Sequence, residues 1–142
     1  MSKQDIQAIS QLLLGITNLN KNIRCLSISK LQELNLHNFD LLLFCLLEII
    51  EKTSITKNDN DNLLKETSLV ICRKIIENAD FNTWENINRE LKEQIKTKLL
   101  NLLNNEIYIK DNIKVCDLII ELLEKIFEGR GIWQEIINLI FP

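Results

Sequence analysis

The sequence predicts an all-α protein, and three observations carry that reading. Among 142 residues there are only three Gly and one Pro, too little punctuation for β-hairpins or a barrel. Leu and Ile together supply 48 residues and recur three and four apart, the spacing of one helix face. The stretches between these runs are short, polar and rich in Asn, of which there are 17. An apolar content of 46% is too high for a disordered chain, and the length suits one ordinary domain.

Taken in order, the first helix is expected over Asp5 to Ile16, with Ile6, Ile9, Leu13 and Ile16 on one face. Asn18 to Asn20 break it, and Asn20 or Asn22 caps a second helix that runs to about Leu34. Leu36-His37-Asn38 interrupts again. A third helix, about Phe39 to Lys52, carries Phe39, Leu42, Leu43, Leu46, Leu47 and Ile50 on one face and Leu41, Phe44, Cys45 and Ile49 on the other, so it must be covered on several sides. Ser54 to Asn62 reads as a polar loop. The fourth helix, about Leu63 to Asn78, is expected to bury Leu64, Ile71, Cys72 and Ile75 with Ser68 as a small contact. Phe81 and Trp84 make the connection from Ala79 to Ile87 too apolar for a free linker. Asn88 caps a fifth helix, about Arg89 to Asn104, with Leu91, Ile95, Leu99, Leu102 and Leu103 inward. The sixth, about Lys110 to Glu128, has the cleanest stripe: Val115, Leu118, Ile119, Leu122, Leu123 and Ile126. Gly129-Arg130-Gly131 ends it, the glycines being expected to take the left-handed turn. A seventh helix starts near Trp133 and is cut off at Pro142.

The second, fourth and sixth helices share a frame. Ile23-Arg24-x-x-Ser27-x-x-x-Leu31 recurs as Leu64-Lys65-x-x-Ser68-x-x-x-Cys72 and, more weakly, as Asp111-Asn112-x-x-Val115-x-x-x-Ile119. Arg24, Lys65 and Asn112 are 41 and 47 residues apart, within the range of HEAT-type helical hairpins. The architecture expected is an α-α superhelix, a HEAT/armadillo-like solenoid, with approximate repeats 5–34, 39–78 and 89–128 and a partial one at 133–142. A single six-helix bundle is the rival.

Charge and cysteines bound the function. A net charge of −3 does not supply the basic footprint of a general nucleic-acid binder. Four cysteines, 20, 27 and 44 residues apart, and a single His have no zinc-site spacing, so the thiols read as reduced, small core residues. The ten-residue run Leu41 to Ile50 is too short for a membrane span, and the start of the chain lacks a signal-peptide core. A cytosolic or nucleocytoplasmic protein is expected. Asp59-Asn60-Asp61-Asn62 is only superficially like a calcium loop, since Leu63 and Leu64 stand where a ligand and a glycine should be. His37 has no nucleophile or metal-ligand partner at a meaningful spacing, and no phosphate loop, GxSxG or HExxH motif occurs. Neither an enzyme nor a cofactor is expected.

The segment Lys114-Val115-Cys116-Asp117-Leu118-Ile119-Ile120-Glu121-Leu122, followed by Gly131 and Trp133-Gln134-Glu135, resembles the third repeat of importin-beta (karyopherin-beta) nuclear transport receptors, nearest the importin beta-3 branch. Leu13-Leu14-Gly15 with Ile23-Arg24-x-x-Ser27 is similar to the first repeat, and Leu64-Lys65-x-x-Ser68 through Ile76 to the second. Trp84 and Leu91-Lys92-x-x-Ile95-Lys96-x-x-Leu99 fit the third. The sequence departs from the family pattern at Lys65, usually Arg, at Ser68, usually Ala, and at Gln134, usually Pro, and a lysine cannot replace contacts that need a forked guanidinium.

The resemblance implies the amino-terminal HEAT segment of a longer import receptor that shuttles between cytoplasm and nucleus. In a solenoid the second helices line the inner face, and the resemblance implies that this face receives the GTPase Ran in its GTP state. Cargo proteins and nucleoporins would bind later repeats, and neither nucleic acid nor membrane is an expected partner. The candidate contacts are Arg24 on the first repeat; Lys65, Glu66, Arg73 and Lys74 on the second; and Lys114, Asp117 and Glu121 on the third. Asp117 and Glu121 are four apart with the same sign, which suits basic residues of a neighbouring repeat or, slightly less well, an external basic partner. The alternative is a generic HEAT scaffold whose binding does not depend on Ran.

Overall fold

The computed structural model describes residues 3–54, 59–106 and 109–140. Within them the chain forms eight helices and no strand: α1 (Lys3–Ile16), α2 (Lys21–His37), α3 (Phe39–Thr53), α4 (Asp59–Asn78), the short α5 (Phe81–Glu85), α6 (Arg89–Asn105), α7 (Ile109–Glu128) and α8 (Gln134–Ile140). Local chemistry sets several ends. The Asn20 side chain accepts from the Asn22 amide to start α2, Asp80 accepts from Thr83 to start α5, and Asn88 accepts from Leu91 to start α6.

Consecutive helices pair. α1 packs on α2, α3 on α4, and α6 on α7. Neighbouring pairs touch through α1 against α3 and α3 against α6 on one side, and through α4 against α7 on the other. α3 is therefore surrounded, and nine of its residues, Phe39 to Thr53, are buried, as its two apolar faces require. The small position of the shared frame is buried in every case: Ser27, Ser68 and Val115. At the first of these a Cβ on Gly15 would lie 2.0 Å from Ser27 Oγ, so α1 and α2 approach where glycine meets serine.

Four expectations are corrected. Asp59 to Asn62 are the first turn of α4, with Asp59 and Asp61 favourably placed at the positive helix end; residues 55–58 of the expected loop lie outside the described residues. Leu36 and His37 belong to α2, which ends only at Asn38. The buried face of α4 is Lys65, Ser68, Leu69, Cys72, Ile75 and Ile76, leaving Leu64 and Ile71 half-buried, because α4 meets α7 as well as α3. After α7 it is Arg130 that adopts the left-handed conformation, with φ 61, and no glycine does. The Gly131 amide donates to Ile126 O at 2.8 Å and the Arg130 amide to Phe127 O at 2.9 Å, closing a Schellman turn around an arginine.

The cysteines divide. Cys45 and Cys72 are buried as expected and Cys116 is half-buried, whereas Cys25 is exposed on α2. Trp84 and Trp133 fill the joints before α6 and α8 and are buried. No helix among the described residues is long and apolar enough to cross a membrane.

Candidate functional site

Most of the charged positions singled out from the sequence converge on one feature, the line along which α4 meets α7. At one end of it Lys65 is buried. Its Nζ lies 2.6 Å from Glu106 Oε2 and 3.1 Å from Asp111 Oδ2. Glu106 is the residue that ends α6, where its own charge opposes the negative end of that helix, and the lysine offsets the mismatch. Asp111 stands in the first turn of α7, where a carboxylate is favoured. Ser54 Oγ, at the end of α3, adds a long contact of 3.5 Å to Glu106. Burial alone would push the Lys65 ammonium down, but the hydrogen bonds and charges of Glu106 and Asp111 outweigh it, and the net shift is upward.

Lys65 is thus not an open position off the buried stripe, as the sequence suggested. The two other residues at its place in the frame act differently. Arg24 Nη1 donates to the carbonyls of Asn18 and Leu19, both at 2.9 Å, and Asn112 Nδ2 donates to Leu103 O at 3.1 Å. Both tie a second helix back to the turn of its own hairpin. Lys65 instead reaches forward into the turn of the next one.

Further along the line, Arg73 faces Asp117 at 3.7 Å and Glu121 at 3.9 Å, which is the neighbouring-hairpin pairing that the two acidic positions suit. Glu66 meets Lys110 at 3.6 Å. Apart from Glu121, whose side chain is 15% exposed, these groups are substantially exposed, and the pairs are individually weak. Beside them a cleft of about 370 Å³ opens between the helices, lined by Leu69, Val70, Arg73, Lys74, Glu77, Lys114 and Asp117. It brings together four of the eight candidates, Arg73, Lys74, Lys114 and Asp117. Lys74 is exposed and Lys114 half-buried. Arg24, Lys65, Glu66 and Glu121 are not part of its lining.

Sequence reasoning missed Glu106 and Asp111 as partners of Lys65. It also missed the matching feature between α3 and α6, where Lys98 Nζ contacts Glu48 at 2.5 Å and Glu51 at 3.1 Å and lies 5.3 Å from the Phe44 ring centre. A glutamate inside the apolar run Leu41 to Ile50 was the available signal. The described residues hold no cluster of three or more His, Cys, Asp or Glu able to bind a metal ion. In comparisons with known proteins, no family model matches the chain, and neither a curated protein nor a solved structure does.

Proposed function

We propose that the chain is a protein-binding segment of stacked helical hairpins, of the kind found at the amino terminus of importin-beta receptors. On this reading α1–α2, α3–α4 and α6–α7 are successive HEAT-like repeats, and Ran in its GTP state binds the face carried by α2, α4 and α7. The observation that supports it is the order of packing: each hairpin closes on itself and lies against the next in sequence. The cleft between α4 and α7, with Lys74 and Lys114 on its walls, is where an acidic surface of Ran would sit. Its function would rest on preference for one nucleotide state, since a partner that binds both states equally transmits nothing.

Binding of the chain to Ran loaded with a non-hydrolysable GTP analogue or with GDP, measured by interferometry, tests this. GTP-selective binding is expected, and Lys74→Glu with Lys114→Glu should lower the affinity about tenfold, about 1.4 kcal/mol. Binding that ignores the nucleotide, or no binding, rejects the Ran reading. A second reading, a HEAT scaffold without Ran dependence, is favoured by one observation. Lys65, Glu66, Arg73, Asp117 and Glu121 are all engaged between α4 and the α6–α7 hairpin, which is what charges do when they set the spacing of repeats.

A further inference from the structure

α7 carries two apolar faces. One, from Val115 to Ile126, is buried against the rest of the protein. The other is open: Ile109 is 80% exposed, Ile113 56%, Ile120 54% and Phe127 50%, and half-buried Cys116 and Leu123 complete the row. Its steps along the chain are four, three, four, three and four residues, the spacing at which two helices form a seam. α4 holds α7 through Asp111 and Glu121 behind this row and through Asp117 at its edge.

We propose that this seam receives a second copy of the chain, α7 against α7 and antiparallel. The charges beside the seam select that occupant. Lys110, Asp117 and Glu124 follow each other seven residues apart along one edge. With two copies antiparallel, Lys110 of each lies beside Glu124 of the other, twice over by symmetry, as a self-complementary two-fold contact requires. Asp117 falls near the axis, and Arg73 of its own chain, 3.7 Å away, offsets the meeting of like charges. A parallel arrangement would set this charged edge against Asn112, Ile119 and Ile126 and gain no ion pair. The antiparallel layers also match in size, with Ile109 opposite the second copy's Phe127 and Cys116 opposite its Ile120. Lys110 keeps its 3.6 Å contact to Glu66 outside the seam, where both side chains are more than half exposed.

Sedimentation velocity on the whole chain over a range of concentrations tests this inference. A species of twice the chain mass is expected. Ile120→Glu should abolish it while leaving the helical circular dichroism unchanged, since Ile120 is outside the core. Lys110→Glu alone and Glu124→Lys alone should each weaken association about tenfold, and the double charge reversal should restore it. A monomer at every concentration overturns the proposal and leaves the face to a different occupant. Association indifferent to Ile120→Glu, or not restored by the double reversal, overturns it equally. None of these outcomes depends on Ran.

Discussion

Replacing Lys65 by Met removes an ammonium from between two carboxylates that remain. The Glu106 side chain is 4% exposed and that of Asp111 17%. Breaking a buried ion pair from one side costs about 3–5 kcal/mol, because the partner is left charged and desolvated. The lower end applies, since Asp111 still reaches water, so a loss of about 3 kcal/mol is expected. With a urea dependence of about 2 kcal/mol/M, the unfolding midpoint should fall by about 1.5 M at constant slope. Arg73→Ala is the comparison. Arg73 and Asp117 are 52% and 38% exposed and 3.7 Å apart, so its cost should stay within about 1 kcal/mol. Adding Glu106→Gln to Lys65→Met should recover much of the loss, because the stranded charge is the source of it. The pH dependence supplies an independent check. The folded Lys65 value is raised above its ordinary 10.5, so the stability it adds is complete below that pH and fades as the pH climbs through the folded value. The gap between parent and variant should therefore be full at neutral pH and close in strong alkali. A Lys65→Met midpoint within about 0.3 M of the parent, or equal losses from Lys65→Met and Arg73→Ala, would refute the reasoning.

Three further outcomes follow from other parts of the molecule. Gly15→Ala should cost about 1–3 kcal/mol in denaturant unfolding, since the new Cβ would lie 2.0 Å from Ser27 Oγ and 3.0 Å from Ser27 Cβ. Ser27→Gly in the same chain should return part of that loss, and a Gly15→Ala protein as stable as the parent would contradict the close approach. Arg130→Gly should raise stability by about 0.5–1 kcal/mol, because an exposed arginine at φ 61 pays a left-handed penalty that glycine does not; an unchanged or lower melting temperature argues against it. Among the thiols, a disulfide reagent should modify Cys25 first and reach Cys45 and Cys72 only on unfolding. Burial, aided by the charge of Asp5, raises Cys45 from 9.0 to about 11, and burial pushes Cys72 further up. Both raised thiols make the fold lose stability as the pH rises above 9.0, before the stability that Lys65 adds begins to fade. Equal labelling of all four cysteines in the native state would contradict the burial.

Much of the fold was legible because helices are local objects. The stripe from Val115 to Ile126 could be read from its period, and Asn20 and Asn88 marked helix starts by the hydrogen bonds their side chains offer the next amides. Trp84 marked the connection before α6 as too apolar for a free linker, and its indole is buried there. The misreadings share a cause. Asp59 to Asn62 read as a loop because polarity was taken for irregularity, although aspartates favour the first turn of a helix. Arg130 was overlooked because glycines flank it, and which residue turns left is settled by how the chain packs afterwards. Gly129 approaches Glu85, and Gly131 approaches Ile126.

By itself the sequence determined that the protein is helical, where most of its helices lie, and which side of most of them is apolar; the short α5 could be read only as an apolar connection. These follow from propensity, period and capping within a few turns of chain. Only the tertiary structure decided which charged residues belong to the inside. Lys65 looks from its neighbours like a solvated lysine, and it is buried because Glu106, 41 residues away, and Asp111 arrive at the same point when α6 and α7 fold against α4. A charge leaves water only where opposite charges from distant segments converge on it, and that convergence exists only after the helices have packed.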